Sequence, residues 1–211
     1  MYRKIGRTAA AFFIATIACT AFASSANAAL LTASADGCDD GPITQPFQRF
    51  GDSDSYKLLP GGSFESGAGA WQLSGGAKVV SGNETYKVGG ATHSLSLSLP
   101  SGSAAVSPFT CVGLGEPTLR LFAKRNSALL GLVSTLNVQI QVKTSLGLSV
   151  WLPVLPGDLG GSSWHPTAQM PLVANILPLS SADKTPVRFR FTPLLGSWQI
   201  DDVYVDPVMK R

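Results

Sequence analysis

Few side chains in this sequence are equipped for chemistry. Its 211 residues hold two histidines, His93 and His165, and three cysteines. A serine nucleophile needs a base held beside it and a third group to orient that base. The Gly-x-Ser-x-Gly turn that presents such a serine is absent. His93 opens a Ser/Leu run and His165 stands between Trp164 and Pro166, so no spacing assembles a triad. Both read as structural or surface histidines. Catalytic or structural zinc needs three or four nitrogen, sulfur or carboxylate ligands, more than these residues supply. A glycosidase needs two carboxyl groups facing one cleft, and nothing in the spacing puts two there. The expectation is a non-catalytic protein, with a hydrolase of unrecognised site as a distant alternative.

The carboxylates suggest calcium more readily. Glu65 follows Gly61-Gly62-Ser63-Phe64, and Asp201-Asp202 interrupts an alternating strand. Ca²⁺ takes six to eight oxygens from carboxylates and backbone carbonyls. An acid pair inside a strand needs a partner. Glu65 with Asp201 or Asp202 could hold a structural calcium. In the alternative, Asp201 faces water and Asp202 pairs with Arg188 or Arg190. Aromatics are the other handle. Trp71 and Trp198 lie among apolar neighbours and read as core. Trp151 shares a strand face with Ser149 and Pro153, opposite Leu148, Val150, Leu152 and Val154, and Trp164 lies in a loop-like stretch. Both are candidate stacking platforms for a sugar. Asn137, Gln139, Gln141, Arg188 and Arg190 could give a polar face, with Gln139, Gln141, Arg188 and Arg190 as the polar partners of the sugar, or else a solvated strand face. Asn83-Glu84-Thr85 matches a glycosylation acceptor.

The elements that must position these residues are strands. Gly, Pro and Ser recur every few residues and no window holds a helical period beyond two turns. Period-two runs cover His93 to Leu99, Leu119 to Lys124, Leu136 to Lys143 and Val187 to Thr192. In the second, Leu119, Leu121 and Ala123 alternate with Arg120, Phe122 and Lys124, which predicts burial on both faces. Further strands are expected at Ala70 to Ser74, Ala77 to Ser81, Ser103 to Pro108, Gly147 to Val154 and Trp198 to Val205, with an irregular stretch from Ser163 to Ser181. About eight to ten short antiparallel strands predict an all-β sandwich, most simply a jelly roll.

The first residues read as an export signal. Arg3, Lys4 and Arg7 precede an apolar stretch from Thr8 to Ala23, and Ala26 and Ala28 stand at the two positions a signal peptidase checks. Cleavage after Ala28 is expected, with lipoprotein processing at Cys19 as the alternative. The stretch is short for a span of about 20 residues, so no stable membrane span is expected after cleavage. The chain has 16 basic and 13 acidic residues, and removing those three basic residues leaves a neutral domain with no long-range attraction to nucleic acid. Cys38 and Cys111 remain and are expected to form a disulfide in an oxidising compartment, stabilising the fold by about 4 kcal/mol on the chain-entropy model. The protein is expected to be secreted, in the extracellular space or the cell envelope.

Two stretches resemble jelly-roll carbohydrate-binding modules of the galactose-binding-like kind. Leu59-Pro60-Gly61-Gly62-Ser63-Phe64-Glu65 followed by Trp71-Gln72-Leu73-Ser74-Gly75-Gly76-Ala77 is similar to their opening, and Trp198 to Pro207 to their final strand. Ser94 to Pro100 looks like their third strand. The whole chain also resembles a group of small secreted actinobacterial proteins through Cys38 before Gln45-Pro46-Phe47, Cys111 before Val112-Gly113-Leu114, and Phe189-Arg190-Phe191-Thr192-Pro193. The resemblance to the modules implies a structural calcium at the position of Glu65 and one acid of the final pair. The expected organisation is a signal peptide at 1–28, an arm at 29–55 tied by the disulfide, and a jelly-roll domain at 56–208. The expected function is binding of extracellular or cell-envelope glycans. The alternative is a structural or adhesive envelope protein working through protein contacts.

Overall fold

Strict alternation of apolar and polar residues gives strands with one dry face and one wet face, and strands dominate. The computed structural model describes residues 41–113, 117–129, 133–143, 148–172 and 185–206. The expected signal segment and Cys38 lie outside the described residues, and with Cys38 the expected bridge to Cys111. The strands are β1 Ile43–Thr44, β2 Tyr56–Leu58, β3 Gln72–Ser74, β4 Lys78–Ser81, β5 Leu95–Leu99, β6 Ala104–Val106 and β7 Thr110–Val112. They continue with β8 Thr118–Ala128, β9 Thr135–Lys143, β10 Ser149–Asp158, β11 His165–Pro166, β12 Met170–Pro171, β13 Thr185–Leu194 and β14 Gly196–Asp206. A 3-10 turn spans Gln48–Phe50. The strands outnumber the sequence expectation because two-residue strands such as β1, β11 and β12 carry no periodicity to read.

Two antiparallel sheets face each other. The front sheet runs β10-β9-β13-β6-β3, with β7 also on β13. Strands β6 and β7 are successive pieces along one edge of β13. Between them the Ser107 N–H donates to the Phe189 carbonyl while the Ser107 hydroxyl accepts the Phe189 N–H, so the ladder survives the break at Pro108. The back sheet runs β1-β2-β14-β5-β4, and β8 lines the other edge of β14 with β11 and β12 beyond it. Between the sheets lie Val138, Ile140, Phe189 and Phe191 of the front and Leu97, Leu121, Ile200 and Val205 of the back, all fully buried. Trp71 and Trp198 are core, as expected. Each satisfies its indole N–H, on the Pro60 carbonyl at 2.9 Å and the Ser134 hydroxyl at 2.8 Å.

A second core covers the outside of the back sheet. The segment before β2 lays Phe47 over this face, with ring centroids 5.0 Å from Tyr56, 5.3 Å from Phe122 and 5.6 Å from Tyr204. Phe122 and Leu121 are both fully buried, so β8 is dry on both sides, as its double alternation predicted. Trp164 belongs to this second core and is 7% exposed, which overturns its expected role as a stacking platform. The cause is the β11 pairing of His165 and Pro166 with Ala123 and Phe122, which presses the preceding indole onto the sheet under Lys124 Nζ, 5.2 Å from the ring. Among the described residues no helix is long and apolar enough to cross a membrane.

Replacing Phe47 with Ala removes a buried ring and leaves a cavity between the arm and the sheet. The expected cost is about 3 to 5 kcal/mol, read as a lowered urea midpoint. An unchanged midpoint would show that the arm does not stabilise the sandwich.

Candidate functional site

On the outer face of the front sheet, β-register sets which side chains stand together. Trp151 pairs with Gln141, and Gln141 with Arg188; Pro153 pairs with Gln139, and Gln139 with Arg190. Two rows across three strands therefore bring five of the six predicted ligand residues together. Trp164, on the back sheet, is the exception. Arg190 packs on the Trp151 indole at 4.4 Å from carbon to centroid, and Arg188 lies 5.7 Å from the same ring and 4.9 Å from Phe109. These are cation–π distances. The Gln139 Oε1 accepts from Arg190 Nε at 2.8 Å and from Nη2, and the Gln141 Oε1 accepts from Arg188 Nε. Trp151 is half-buried and Phe109 is 42% exposed. Phe109 escaped the sequence reading because Pro108 breaks the alternation that would have placed it on this face.

The acids sit elsewhere, under the loop between β4 and β5. One edge of β14 changes partner here, from β5 at Trp198–Ile200 to β2 at Tyr204–Val205. The register against β8 slips between Asp201 and Tyr204, and Asp202 takes φ 45°. This bulge lets two consecutive carboxylates turn into the same loop. Asp201 accepts the N–H groups of Glu84 and Asp202, and Asp202 accepts that of Gly89. Glu84, fully buried, accepts from Tyr86 and Val88. Glu65 Oε1 accepts from Ser94 and Leu95 at 2.9 and 2.8 Å. Asp201 and Asp202 are each 1% exposed, so Asp201 does not face water. Arg188 and Arg190 lie on the other sheet, so neither pairs with Asp202. Burial, then the charge of Asp202, pushes Asp201 up to about 8; burial, then Glu84, pushes Asp202 up to about 6. Glu84 was visible to the sequence only as the middle of a glycosylation acceptor.

Among the described residues no three His, Cys, Asp or Glu side chains converge as a metal-ligand set. Asp202 Oδ1, however, is buried without a hydrogen-bond partner, and the charges of Glu84 and Glu65 both act on this carboxyl. His93 acts on it in the opposite sense, and an orphaned oxygen between acids suits a hard cation whose remaining ligands are carbonyls and water.

The two histidines hold structure. His165 Nε2 bonds Asp158 at 2.8 Å and Nδ1 bonds the Ser163 carbonyl at 2.9 Å. Two acceptors require two N–H donors, so the ring is an imidazolium in this arrangement and has no lone pair to act as a base. His93 lies in the acid-bound loop, its ring against Gly89 and Gly90. A buried pair of Arg120 and Asp52 joins β8 to the arm. Tyr56 donates to Asp52 at 2.6 Å and Gln169 at 3.0 Å, and these bonds outweigh burial to hold the Asp52 carboxyl below the usual range. The group borders an open polar cavity of about 410 Å³ lined by Phe50, Asp54 and Gln169 among others.

No family model and no curated protein matches the sequence. Solved structures do. The CBM22-1–GH10 modules of the N-terminal endo-1,4-beta-D-xylanase 10B of Clostridium thermocellum, complexed with xylohexaose, superpose with a TM-score of 0.52 at 14% identity. The match covers 74% of this chain and 29% of that one. This chain is a jelly-roll β-sandwich. The CBM22-1 xylan-binding domain of Paenibacillus barcinonensis Xyn10C gives 0.45 at 14% identity over 71% of this chain and 93% of that one. TmCBM61 in complex with beta-1,4-galactotriose gives 0.43 at 15% over 72% and 98%. At these identities the likeness is one of fold, and the jelly roll's activity has to be argued from its own side chains.

The His165–Asp158 pair makes a signed prediction. The hydrogen bond to Asp158 raises His165 above its usual value, against burial, which lowers it. The stability this adds is complete below about pH 6.5 and is lost as the pH rises through the higher folded value. A partly exposed pair of this kind should contribute roughly 1 kcal/mol. The stability gap between the wild type and Asp158→Asn should therefore close in thermal melts as the pH rises from about 6.5 through the raised folded value. A gap that stays constant across that range would show that His165 is not charged in the fold.

Proposed function

We propose that this jelly roll is a secreted, non-catalytic glycan-binding domain whose ligand lies across the outer face of the front sheet. The observation that carries the reading is the row Phe109–Arg188–Trp151–Arg190, in which flat aromatic and guanidinium groups alternate on an open sheet face and amide side chains fix their orientation. Sugars are recognised by apolar stacking on such planes together with hydrogen bonds from fixed polar groups. Gln139, half-buried with its oxygen on Arg190, keeps its amide nitrogen for a hydroxyl acceptor, while the buried Gln141 orients Arg188. The fold is shared with xylanase modules solved as a complex with xylohexaose, which makes a glycan the first class to test. Export, to the extracellular space or the cell envelope, accords with this role.

A glycan array on the purified protein, followed by calorimetry on the best hit, tests the reading. Trp151→Ala should weaken binding at least tenfold, about 1.4 kcal/mol, without lowering the melting temperature. An array with no hits, or a hit indifferent to Trp151, sinks it. In that event protein contacts are the next reading. The exposed Leu129, Val133, Leu194 and Leu195 beside the turns of β8 and β14 are where to look first.

We further propose that Asp202 and Glu65, with backbone carbonyls and water, hold a structural calcium that locks the acid-bound loop. EDTA should lower the melting temperature of the wild type by several degrees, calcium should restore it, and Asp202→Asn should respond to neither. A wild type insensitive to EDTA excludes the ion.

A further inference from the structure

The front face carries two guanidinium groups that no described carboxylate pairs with. In the two rows that hold Arg188 and Arg190, the described residues include no aspartate or glutamate. Both guanidinium groups are instead held by neutral amide oxygens. The back sheet shows the alternative. There Arg120 is buried against a ring, 4.4 Å from the Phe47 centroid, and is met by the Asp52 carboxylate. Arg188 and Arg190 have the same kind of aromatic neighbour as Arg120 and, among the described residues, no carboxylate paired with them.

The geometry also decides which part of each arginine is left for a guest. Gln139 occupies the Nε–Nη2 edge of Arg190, so the outer edge bearing Nη1 is free to form a two-point bond with a carboxylate. On Arg188 only Nε is committed to Gln141. The two arginines are alternate residues of β13, on the order of 7 Å apart along the strand, with Trp151 in cation–π contact with both. The indole therefore does not present a bare platform to a neutral pyranose. A ligand meets guanidinium planes, and those planes are cationic.

We propose that the face selects an acidic glycan, a polymer of uronic-acid residues, with Arg188 and Arg190 each taking a carboxylate and Trp151 positioning them. This rests on the reading that the front face binds a glycan, and it adds the chemical class.

The test uses polygalacturonate, polyglucuronate and alginate, each beside its carboxyl-reduced neutral counterpart, so that members of a pair differ by charge alone. Calorimetry on the purified protein is run at low and high salt, with polyphosphate as an anion that contains no sugar. At least one acidic polymer should bind tenfold or more tightly than its reduced partner. That ratio should shrink at high salt and collapse in Arg190→Gln and Arg188→Gln, while Arg190→Lys keeps only part of it. Trp151→Ala should lose binding with both charges in place. Equal or tighter binding of the reduced partner would overturn the acidic class and leave the glycan reading standing. Polyphosphate binding as tightly as the best uronate, or binding that survives Trp151→Ala, would reduce the face to unspecific charge attraction and overturn the proposal. Binding of no polymer, acidic or neutral, would remove the glycan reading itself. Because the paired polymers are compared on the wild type, the choice between acidic and neutral glycan does not depend on any variant folding.

Discussion

The back sheet is dry on both faces, and most of the molecule's organisation follows from that. A strand whose alternate residues are both apolar cannot leave either set in water, so a jelly roll containing β8 needs a second layer outside it. The arm supplies this layer with Phe47, and the loops before β5 and β11 supply Tyr86 and Trp164. Each fully buried ring contributes about 1.5 to 3 kcal/mol relative to exposure, enough to fix the arm in place. Arg120 crosses this layer and meets Asp52 with little access to water, where its planar donors are bonded to Asp52 and to the Thr167 carbonyl. The consequence for function is subtractive. With Phe47, Tyr86 and Trp164 laid over the back sheet, the polar cavity beside Asp52 and the polar rows of the front sheet are the surfaces that the described residues offer a ligand.

The acid-bound loop is the other half of this arrangement. Tyr86 reaches the second core only if residues 82–94 turn back on themselves, and no regular element makes them do so. Carboxylates do it instead, each accepting backbone N–H groups that a strand would otherwise satisfy. Gly62 completes the junction. It donates to Leu59 and accepts from Val203, and a Cβ there would lie 2.9 Å from the Val203 carbonyl, so a side chain would push the opening segment off the bulge. Burial, and after it the repulsion among three neighbouring acids, raises Asp201 and Asp202 and makes protonation or a cation the stable condition of the site. The bulge, the loop and the second core are therefore one cooperative unit rather than three.

How far this could be read from the chain depended on the range of the interaction. Periodicity is local, and it placed the long strands and put Trp151, Gln139, Gln141, Arg188 and Arg190 each on the side of its own strand away from the apolar residues. Register then added the contact of arginine with indole, which alternation alone does not contain. Trp164 went wrong because its neighbours have no period, so nothing local distinguishes an exposed loop indole from one pinned by a two-residue bridge. Asp52 and Arg120 are 68 residues apart and Glu84 and Asp201 are 117 apart. Such polar pairs leave no trace in spacing. The resemblance to jelly-roll modules marked Glu65 and the final acid pair, but it said nothing of Glu84, whose part is to fold the loop rather than to match a motif.

The edge strand β10 bears on whether the front sheet works through a ligand or through another chain. Among the described residues β10 pairs with β9 alone, and an edge with Val150 and Leu155 exposed would ordinarily invite a further strand. Pro153 and Pro156 stand in this same strand, and neither has an N–H to give to a neighbour. A bulge between Val154 and Asp158 bends it further. Prolines and bulges at an edge are how sheets resist strand addition. The chain thus guards the edge of the sheet that carries Trp151 and leaves the broad face of that sheet free. A surface built for strand exchange would do the reverse, and a surface that accepts an extended polymer across its rows needs a face open in this way.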